Sequence, residues 1–408
     1  MKKITVHYQG WGEHWPLGTL AQDSRQLLFE YSPQALQRGL ELSPLHLKLR
    51  PQTYGNFPAH QMQLPGLVAD SLPDGWGLLL MDRFFKAHRH LERHHISPLD
   101  RLAFLGDRAM GALSFEPASD DPHTPVDWAL QQLAQEVQSV VQGQDSETLQ
   151  QLITLGGSPQ GARPKALVQF EPDTGHMSTL ASAPGQAWMV KFPAANEHPE
   201  VCALEHVYAE MARLCGIDMP PTRYFELAHS LAAFAVQRFD RAGPMRVPMH
   251  TLAGALHADY RIPSCDYLTL LRMTRLMTRS EHEVLKAFRR CVFNVVFHNR
   301  DDHTKNFSYL LNPQGHWQLA PGYDLTYCES PRGEHQMDIE GEGLTPTRTQ
   351  LLRLADKAGL HAPTCQAMMS DICTQATHFQ ALAMQHPIRK DTVKRIAQVI
   401  QSHIQRLS

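Results

Sequence analysis

A dense polar cluster interrupts an apolar stretch in the sequence FNVVFHNRDDHTKNFSYLL, residues 293–311. A buried helix or strand cannot hold so many charged groups, so the cluster is predicted to be a loop between two core elements. Asp301 could accept the proton of an attacking hydroxyl group, and Asn306 could bind a Mg²⁺ ion that bridges nucleotide phosphates. We therefore favour phosphoryl transfer over a purely solvated surface loop.

A second carboxylate, Asp324, follows a predicted hairpin that begins directly after this loop and turns at Gly315. The hairpin would return Asp324 towards Asp301. Two acids and an asparagine that converge from both ends of a hairpin suit a divalent metal and a phosphate group. We predict Asn306 and Asp324 as the metal ligands.

A glycine-bearing segment, GGSPQGARPK at residues 156–165, precedes a predicted strand. Glycines such as Gly161 let backbone amides approach an anion closely, and Arg163 and Lys165 add positive charge. The segment is not a Walker loop, because GxxxxGK[ST] is absent. It predicts a loop that covers nucleotide phosphates.

A lone lysine, Lys191, lies in the apolar strand AWMVKFPA and must either reach solvent at an edge or pair inside the protein. In kinases such a lysine holds the phosphates and pairs with a helix glutamate. The next helix offers Glu200, Glu205 and Glu210, and Glu205 lies nearest its apolar face. A strand pair follows, TRYFEL and LAAFAVQRFDR, and it leads into the connector where a two-lobed kinase places its adenine-binding hinge.

The overall composition is that of a globular protein with at least two cores. The chain has 408 residues and a formal net charge of −3, which argues against a dedicated nucleic-acid surface. No membrane span or secretory signal is predicted. Seven isolated cysteines suit a reducing cytoplasm. His90 and His94, four residues apart in KAHRHLERHH, would share a helix face, but a solvated helix is favoured over a metal site there.

The motifs together resemble the HipA-type serine/threonine protein kinases, the toxins of bacterial toxin–antitoxin pairs. NRDDHTKNFS is similar to the family's catalytic loop, with Asp301 as catalytic aspartate and Asn306 as metal ligand. APGYDL resembles its DFG counterpart and carries Asp324. The other matches are SPQGARPK for the phosphate loop with Ser158 as the autophosphorylation position, WMVKFP for the strand of Lys191, and VQRFDR for the hinge with Gln237 and Phe239. Gln160 and Gln237 depart from the family's usual glycine and glutamate.

The resemblance implies an α+β, two-lobed protein-kinase-like fold, with a β-rich N-lobe, a helical C-lobe and an additional N-terminal subdomain. We place the N-terminal subdomain at residues 1–118, the kinase N-lobe with its phosphate loop at 119–250, and the C-lobe with its catalytic loop at 251–408. Residues 119–125, SDDPHTP, are predicted to form a linker.

The resemblance also implies an ATP- and Mg²⁺-dependent protein kinase in which Lys305 neutralises charge on the transferring group. Its substrate would be a translation factor such as an aminoacyl-tRNA synthetase. Its partner would be a small DNA-binding antitoxin, so that DNA is contacted only indirectly. Phosphorylated Ser158 would be repelled from the phosphate cradle and silence the enzyme. Two alternatives stay open: a small-molecule kinase on the same fold, and a non-catalytic repressor component.

Overall fold

The computed structural model describes residues 2–23, 26–119, 125–144, 149–227, 231–330 and 332–408. Within them, two five-stranded sheets precede a largely helical C-terminal part. This architecture confirms the predicted α+β class, with a β-rich N-lobe, a helical C-lobe and a further N-terminal unit that has its own sheet. The proposed boundaries near residues 118 and 250 stay a prediction, and residues 120–124 of the predicted linker lie outside the described residues.

The first sheet is antiparallel, with the strand order β4-β3-β2-β1-β5. Its strands are β1 (Lys3–Tyr8), β2 (Trp15–Gln22), β3 (Leu27–Tyr31), β4 (Thr53–Tyr54) and β5 (Leu113–Glu116). The sequence pattern predicts β1, β3 and β5. It does not indicate β2, because Pro16 and Gly18 lower its strand propensity.

Four helices accompany this sheet: α1 (Pro33–Arg38), α2 (Gly66–Ala69), α3 (Gly75–Arg89) and α4 (Pro98–Leu105). Ser97 caps α4, as predicted, in a capping box with Asp100. Helix α3 ends at Arg89, and His90 takes a left-handed backbone conformation with a φ of 53°. The assumption that His90 and His94 share one helix face is therefore wrong.

The second sheet is also antiparallel, with the order β7-β6-β8-β10-β9. The elements of this region are α5 (Leu130–Val141), α6 (Leu149–Gly156), β6 (Lys165–Glu171), β7 (His176–Ser178), β8 (Gln186–Lys191), α7 (Glu200–Leu214), β9 (Thr222–Leu227) and β10 (Leu231–Gln237). Helix α7 packs on β10 through a small apolar cluster that includes Cys202 and Phe234. The predicted β9–β10 turn at His229 and Ser230 lies outside the described residues.

The C-terminal part combines short strands with longer helices. Its elements are β11 (Arg241–Ala242), β12 (Met245–Arg246), β13 (Met249–Thr251), α8 (Leu252–Leu256), α9 (Tyr267–Thr278), α10 (Glu281–Val296), β14 (Ser308–Leu311), β15 (Trp317–Leu319), α11 (Arg348–Lys357), α12 (Ala362–Ala376), α13 (Phe379–Ala383) and α14 (Lys390–Leu407). The polar cluster lies between the buried end of α10 and β14, so the predicted loop between core elements is confirmed. Among the helices described, none has the length and apolar character needed to cross a membrane.

Buried carboxylates join the N-terminal unit to the rest of the chain. The Asp70 carboxylate accepts hydrogen bonds from the Thr251 hydroxyl and backbone N–H, both at 2.7 Å. The Asp240 carboxylate accepts a hydrogen bond of 2.8 Å from the Gly111 N–H. The main hydrophobic core is continuous across both sheets and the C-terminal helices. The N-terminal unit can thus contribute side chains to a site that is formed by the second sheet and the C-terminal part.

Candidate active site

The lone lysine of β8 is paired inside the protein. Lys191 Nζ lies 2.6 Å from Glu205 Oε1, and both side chains are almost fully buried. Burial would lower the pKa of Lys191, but the charges of Asp324 and Glu205 outweigh it and raise the pKa. The edge-strand alternative is wrong for this lysine, because it stays charged in the interior. Of the three glutamates considered, the structure brings Glu205 to it.

The Asp324 carboxylate also contacts Lys191, from the turn that follows β15. Its backbone is left-handed, with a φ of 52°, a conformation that aspartate tolerates better than most residues. Burial alone would raise the pKa of Asp324, but the ammonium groups of Lys191 and Lys165 lower it below its ordinary value. The carboxylate is therefore ionised at neutral pH and available as a metal ligand.

Asp301 is the exposed carboxylate of the polar loop. Its side chain is 54% exposed and lies 3.8 Å from His303 Nε2. The Asn306 side-chain amide donates a hydrogen bond of 2.6 Å to the Asp301 carbonyl oxygen, which closes the loop on itself. Surrounding protein atoms raise the pKa of Asp301, and the charges of Asp324 and Asp302 raise it further, whereas His303 lowers it. A raised pKa makes Asp301 a stronger base for a hydroxyl proton.

Asp302, the next residue, is buried and anchors the loop. Its carboxylate accepts hydrogen bonds from the Tyr267 hydroxyl at 2.6 Å and from the Gln336 N–H at 2.8 Å, and it lies 2.7 Å from His335 Nδ1. The two adjacent aspartates therefore differ in surroundings: the Asp301 side chain is exposed, whereas the Asp302 side chain is buried and fixes the backbone of the loop. Sequence analysis assigned no role to Asp302.

The glycine-bearing segment closes over Lys165. Gly161 has a φ of 104°, a backbone conformation that residues with a side chain rarely adopt, so a substitution there would be strained. Burial lowers the pKa of Lys165 to about 8, and Lys191 lowers it as well, whereas Asp324 opposes this shift. Arg163 forms ion pairs with Glu197 at 3.0 Å and with Glu205 at 3.2 Å. The loop thus gathers positive charge next to the Lys191 pair.

Ser158, the predicted autophosphorylation position, is only 4% exposed. It lies in the same segment, between Gly157 and Gly161. A phosphate group carries close to two negative charges and cannot be buried there without paired cations. In this conformation the Ser158 hydroxyl is therefore not accessible to a kinase site.

A residue of the N-terminal unit, Asp74, links the two loops of the site. Its carboxylate accepts a hydrogen bond from the Gly161 N–H and lies 2.7 Å from Lys305 Nζ. The Tyr260 hydroxyl is also hydrogen-bonded to it. Burial would raise the pKa of Asp74, but Lys305, the Gly161 N–H and Lys165 together lower it. Sequence analysis attributed no chemistry to residues 1–118, so this carboxylate was missed.

Lys305, predicted to neutralise charge on the transferring group, is held by this carboxylate. Its Nζ atom also lies 4.3 Å from the centre of the Tyr260 ring. The Tyr323 hydroxyl donates a hydrogen bond of 2.6 Å to the Lys305 carbonyl oxygen, which ties the polar loop to the segment of Asp324. Lys305 therefore connects the polar loop with the N-terminal unit, and its catalytic role stays a prediction.

The predicted hinge, VQRFDR at residues 236–241, begins in the last two residues of β10 and continues beyond the strand. The Gln237 N–H donates to the Pro221 carbonyl at 2.9 Å, so this amide is already used inside the protein. The Phe239 ring packs against the Tyr323 ring, with centroids 5.4 Å apart. The hinge segment therefore lies beside the segment that carries Asp324, and its contact with adenine stays a prediction.

The donor set suits a magnesium–nucleotide complex. Asp324 and Asn306 offer a carboxylate and an amide oxygen, which are the hard ligands that Mg²⁺ prefers. Lys191 and Lys165 would supply positive charge for phosphate oxygens. These residues would hold the Mg²⁺ ion and the phosphates of the nucleotide.

Comparison with known proteins agrees with this description. The model of the HipA-like C-terminal domain matches residues 157–379, which is more than half of the chain, and that of the HipA N-terminal domain matches residues 9–116. A putative kinase of Haemophilus influenzae is 28% identical over 148 residues, covering 33% of this chain and 43% of that protein. The putative kinase Y4mE of Sinorhizobium fredii is 29% identical over 264 residues, covering 56% of this chain and 58% of that protein. The chain thus spans about half the length of these curated relatives.

Among solved structures, HipA of Shewanella oneidensis, determined with HipB and its operator DNA, matches with a TM-score of 0.72 at 17% identity. The match covers 99% of this chain and 97% of that one, so the two share a fold over their whole length. The family models match both the N-terminal unit and the segment that carries the catalytic-loop motif, the Lys191 strand and Asp324. This chain belongs to the HipA family.

Proposed function

We propose that this chain is an ATP- and Mg²⁺-dependent protein serine/threonine kinase that acts as the toxin of a toxin–antitoxin pair. The observation that supports it is the convergence of a buried Lys191–Glu205 pair, the ionised Asp324 and the exposed Asp301 around one site. This is the set of groups that phosphoryl transfer from a nucleotide to a hydroxyl requires. Its relatives named as putative kinases are consistent with the proposal.

Each side chain has a separate task in this proposal. Bound ATP with Mg²⁺ would supply the phosphoryl group. Lys191 would orient the phosphates, and its pairing with Glu205 keeps the ammonium group directed at them. Asn306 and Asp324 would bind the metal. Asp301 would orient the acceptor hydroxyl and take up its proton, for which its raised pKa is favourable.

The substrate and the partner are proposed from chemistry and family likeness. The acceptor is a serine or threonine of a translation factor, for which an aminoacyl-tRNA synthetase is our first candidate. The partner is a small DNA-binding antitoxin, as supported by the Shewanella oneidensis HipA, which was solved with HipB and operator DNA. Contact with DNA would then be indirect.

The proposal is tested by phosphoproteomics of host cells after pulsed expression of the wild type or of Asp301→Asn. We expect new phosphoserine or phosphothreonine on one or a few translation factors with the wild type alone. Labelled ATP offered to proteins and to small metabolites in parallel would identify a small-molecule kinase. Equal growth inhibition by the two forms, without new phosphoproteins, would favour a non-catalytic repressor component.

Asp74→Ala is expected to raise the KM for ATP by about 10-fold. The variant loses one hydrogen bond to the Gly161 amide and one ion pair to Lys305, and a hydrogen bond to a charged group contributes about 1.5–3 kcal/mol. Asp74→Asn keeps an acceptor for Gly161 and should show a smaller rise. Asp107→Ala, at an exposed aspartate of the same unit, is the matched control. An unchanged KM for ATP in Asp74→Ala would show that this contact does not order the loops.

Ser158→Ala is expected to abolish autophosphorylation while leaving phosphorylation of added substrate intact. The buried serine can reach Asp301 only after its loop leaves its packed position, and the phosphate would then oppose its return. Phosphate incorporation into the purified kinase, located by peptide mass spectrometry, measures this. Ser182→Ala, at an exposed serine, is the control. If Ser158→Ala incorporates as much phosphate as the wild type, another residue is the acceptor.

A further inference from the structure

A second group of ligand-type side chains lies where α7 meets the C-terminal helices. His206 and Glu210 are one turn apart on α7, and His386 comes from the segment between α13 and α14. Glu210 Oε1 lies 3.7 Å from His206 Nε2, and Glu210 Oε2 lies 3.3 Å from His386 Nε2. The three ligand atoms lie within 4.8 Å of one another. They do not belong to the proposed kinase site.

Protein contacts do not satisfy the Glu210 carboxylate completely. Within the described part of the chain, Glu210 Oε2 is a buried oxygen atom that accepts no hydrogen bond. Burial lowers the pKa of His206, and His386 lowers it further, while Glu210 raises it. A carboxylate oxygen that accepts no hydrogen bond and faces two imidazole nitrogen atoms is an arrangement that a bound cation would satisfy.

The outer contacts of His206 orient it as a ligand. Its Nδ1 atom lies 3.1 Å from the Thr222 hydroxyl oxygen, to which Arg213 donates a hydrogen bond of 3.0 Å. When Nδ1–H donates to Thr222, the Nε2 atom carries the lone pair and faces Glu210. A hydrogen bond from the second ring nitrogen is the usual means of fixing a metal-binding histidine.

We propose that His206, Glu210 and His386 bind one divalent transition-metal ion of the zinc class, with water in the remaining position. Two ligand atoms of a tetrahedral zinc ion lie about 3.4 Å apart, because each is about 2.1 Å from the metal. The two nitrogen-to-oxygen distances, which run to the two different oxygen atoms of the Glu210 carboxylate, are of this size. Two imidazoles exclude Mg²⁺ and Ca²⁺ as preferred occupants, since these ions select oxygen ligands.

The ion would fasten α7 to the C-terminal helices. The first turn of α7 is already tied to the same region, because Glu200 pairs with Arg389 at 2.5 Å. A metal at His206 and Glu210 would add a second attachment in the middle of the helix that carries Glu205. Because the folded protein alone assembles the three ligands, binding should stabilise it against unfolding.

The test uses the metal-free full-length protein, titrated with Zn²⁺ against a chromophoric chelator and followed by thermal unfolding. We expect one tight equivalent in the wild type and a rise in Tm. His386→Gln and Glu210→Gln should each weaken that equivalent by at least about 100-fold and remove the rise. His14→Gln is the matched control, because His7, His14 and Glu116 form another potential metal-binding group among the described residues.

Two results would overturn the site. One is a wild type whose Tm does not respond to stoichiometric Zn²⁺. The other is a tight equivalent that His386→Gln and Glu210→Gln retain, or that only His14→Gln removes. The Tm of each variant without metal shows whether the variant folds. If only one of the two ligand variants folds, that variant alone is enough for the test. Because the readout is metal binding, the result is independent of kinase activity.

Discussion

Asp301→Asn is expected to lower kcat for phosphoryl transfer by about 10²–10⁴-fold, the range for loss of a general base. Asparagine cannot accept the hydroxyl proton but has nearly the same size, so the loop should keep its conformation. The KM for ATP and the Tm should stay close to those of the wild type, because the side chain is half-exposed. Initial rates with purified protein and a phosphorylatable substrate measure the effect.

Asp173→Asn, at an exposed aspartate in the β6–β7 turn, is the control for this measurement. It should leave kcat unchanged. A fall in kcat of less than about threefold in Asp301→Asn would mean that another group accepts the proton, and the catalytic assignment would then be wrong. A normal kcat with a strongly raised KM would instead place Asp301 in substrate binding.

Asp302→Ala is expected to lower the free energy of unfolding by about 3–5 kcal/mol, as when one partner of a buried charged network is removed. The variant leaves the Tyr267 hydroxyl, the Gln336 N–H and His335 Nδ1 without their shared acceptor in a fully buried position. Asp302→Asn keeps one acceptor oxygen and should lower the free energy of unfolding by less. Urea unfolding followed by far-ultraviolet circular dichroism measures both variants.

The neighbouring Asp301→Asn serves as the control for stability. It should change the free energy of unfolding by less than about 0.5 kcal/mol, as is usual for exposed positions. If Asp302→Ala unfolds at the same urea concentration as the wild type, the buried network does not hold the loop. If both variants lose a comparable free energy of unfolding, the loop folds as one unit. Asp301 and Asp302 would then not differ as a reactive and an anchoring residue.

Much of the site could be predicted because its parts are local in sequence. The spacing of Asp301 and Asn306 lies within a single loop, and Lys191 and Glu205 lie on adjacent elements, so few arrangements could bring each pair together. The β2 strand was missed because its proline and glycine conceal the strand pattern. Burial of Ser158 was also not foreseeable, because it depends on how the loop packs against another unit.

Asp74 shows where local information ends. It lies 231 residues from Lys305 in sequence, and its own surroundings, LPDGWG, look like an ordinary helix start. Only the docking of the N-terminal unit brings its carboxylate to Gly161 and Lys305. The same holds for His386, which joins His206 and Glu210 only because the C-terminal helices pack on α7.

The sequence by itself indicated most of the elements, apart from strands such as β2, and the identity of the side chains that could transfer a phosphoryl group. Secondary-structure propensity, apolar periodicity and motif spacing depend on only a few neighbouring residues, so they can be read from the sequence alone. The tertiary structure decided that Asp302, next to the predicted catalytic Asp301, is a buried anchor of the loop, and which distant carboxylate holds Lys305. Burial and charge pairing depend on contacts between separately formed elements, so they are settled only when those elements pack together.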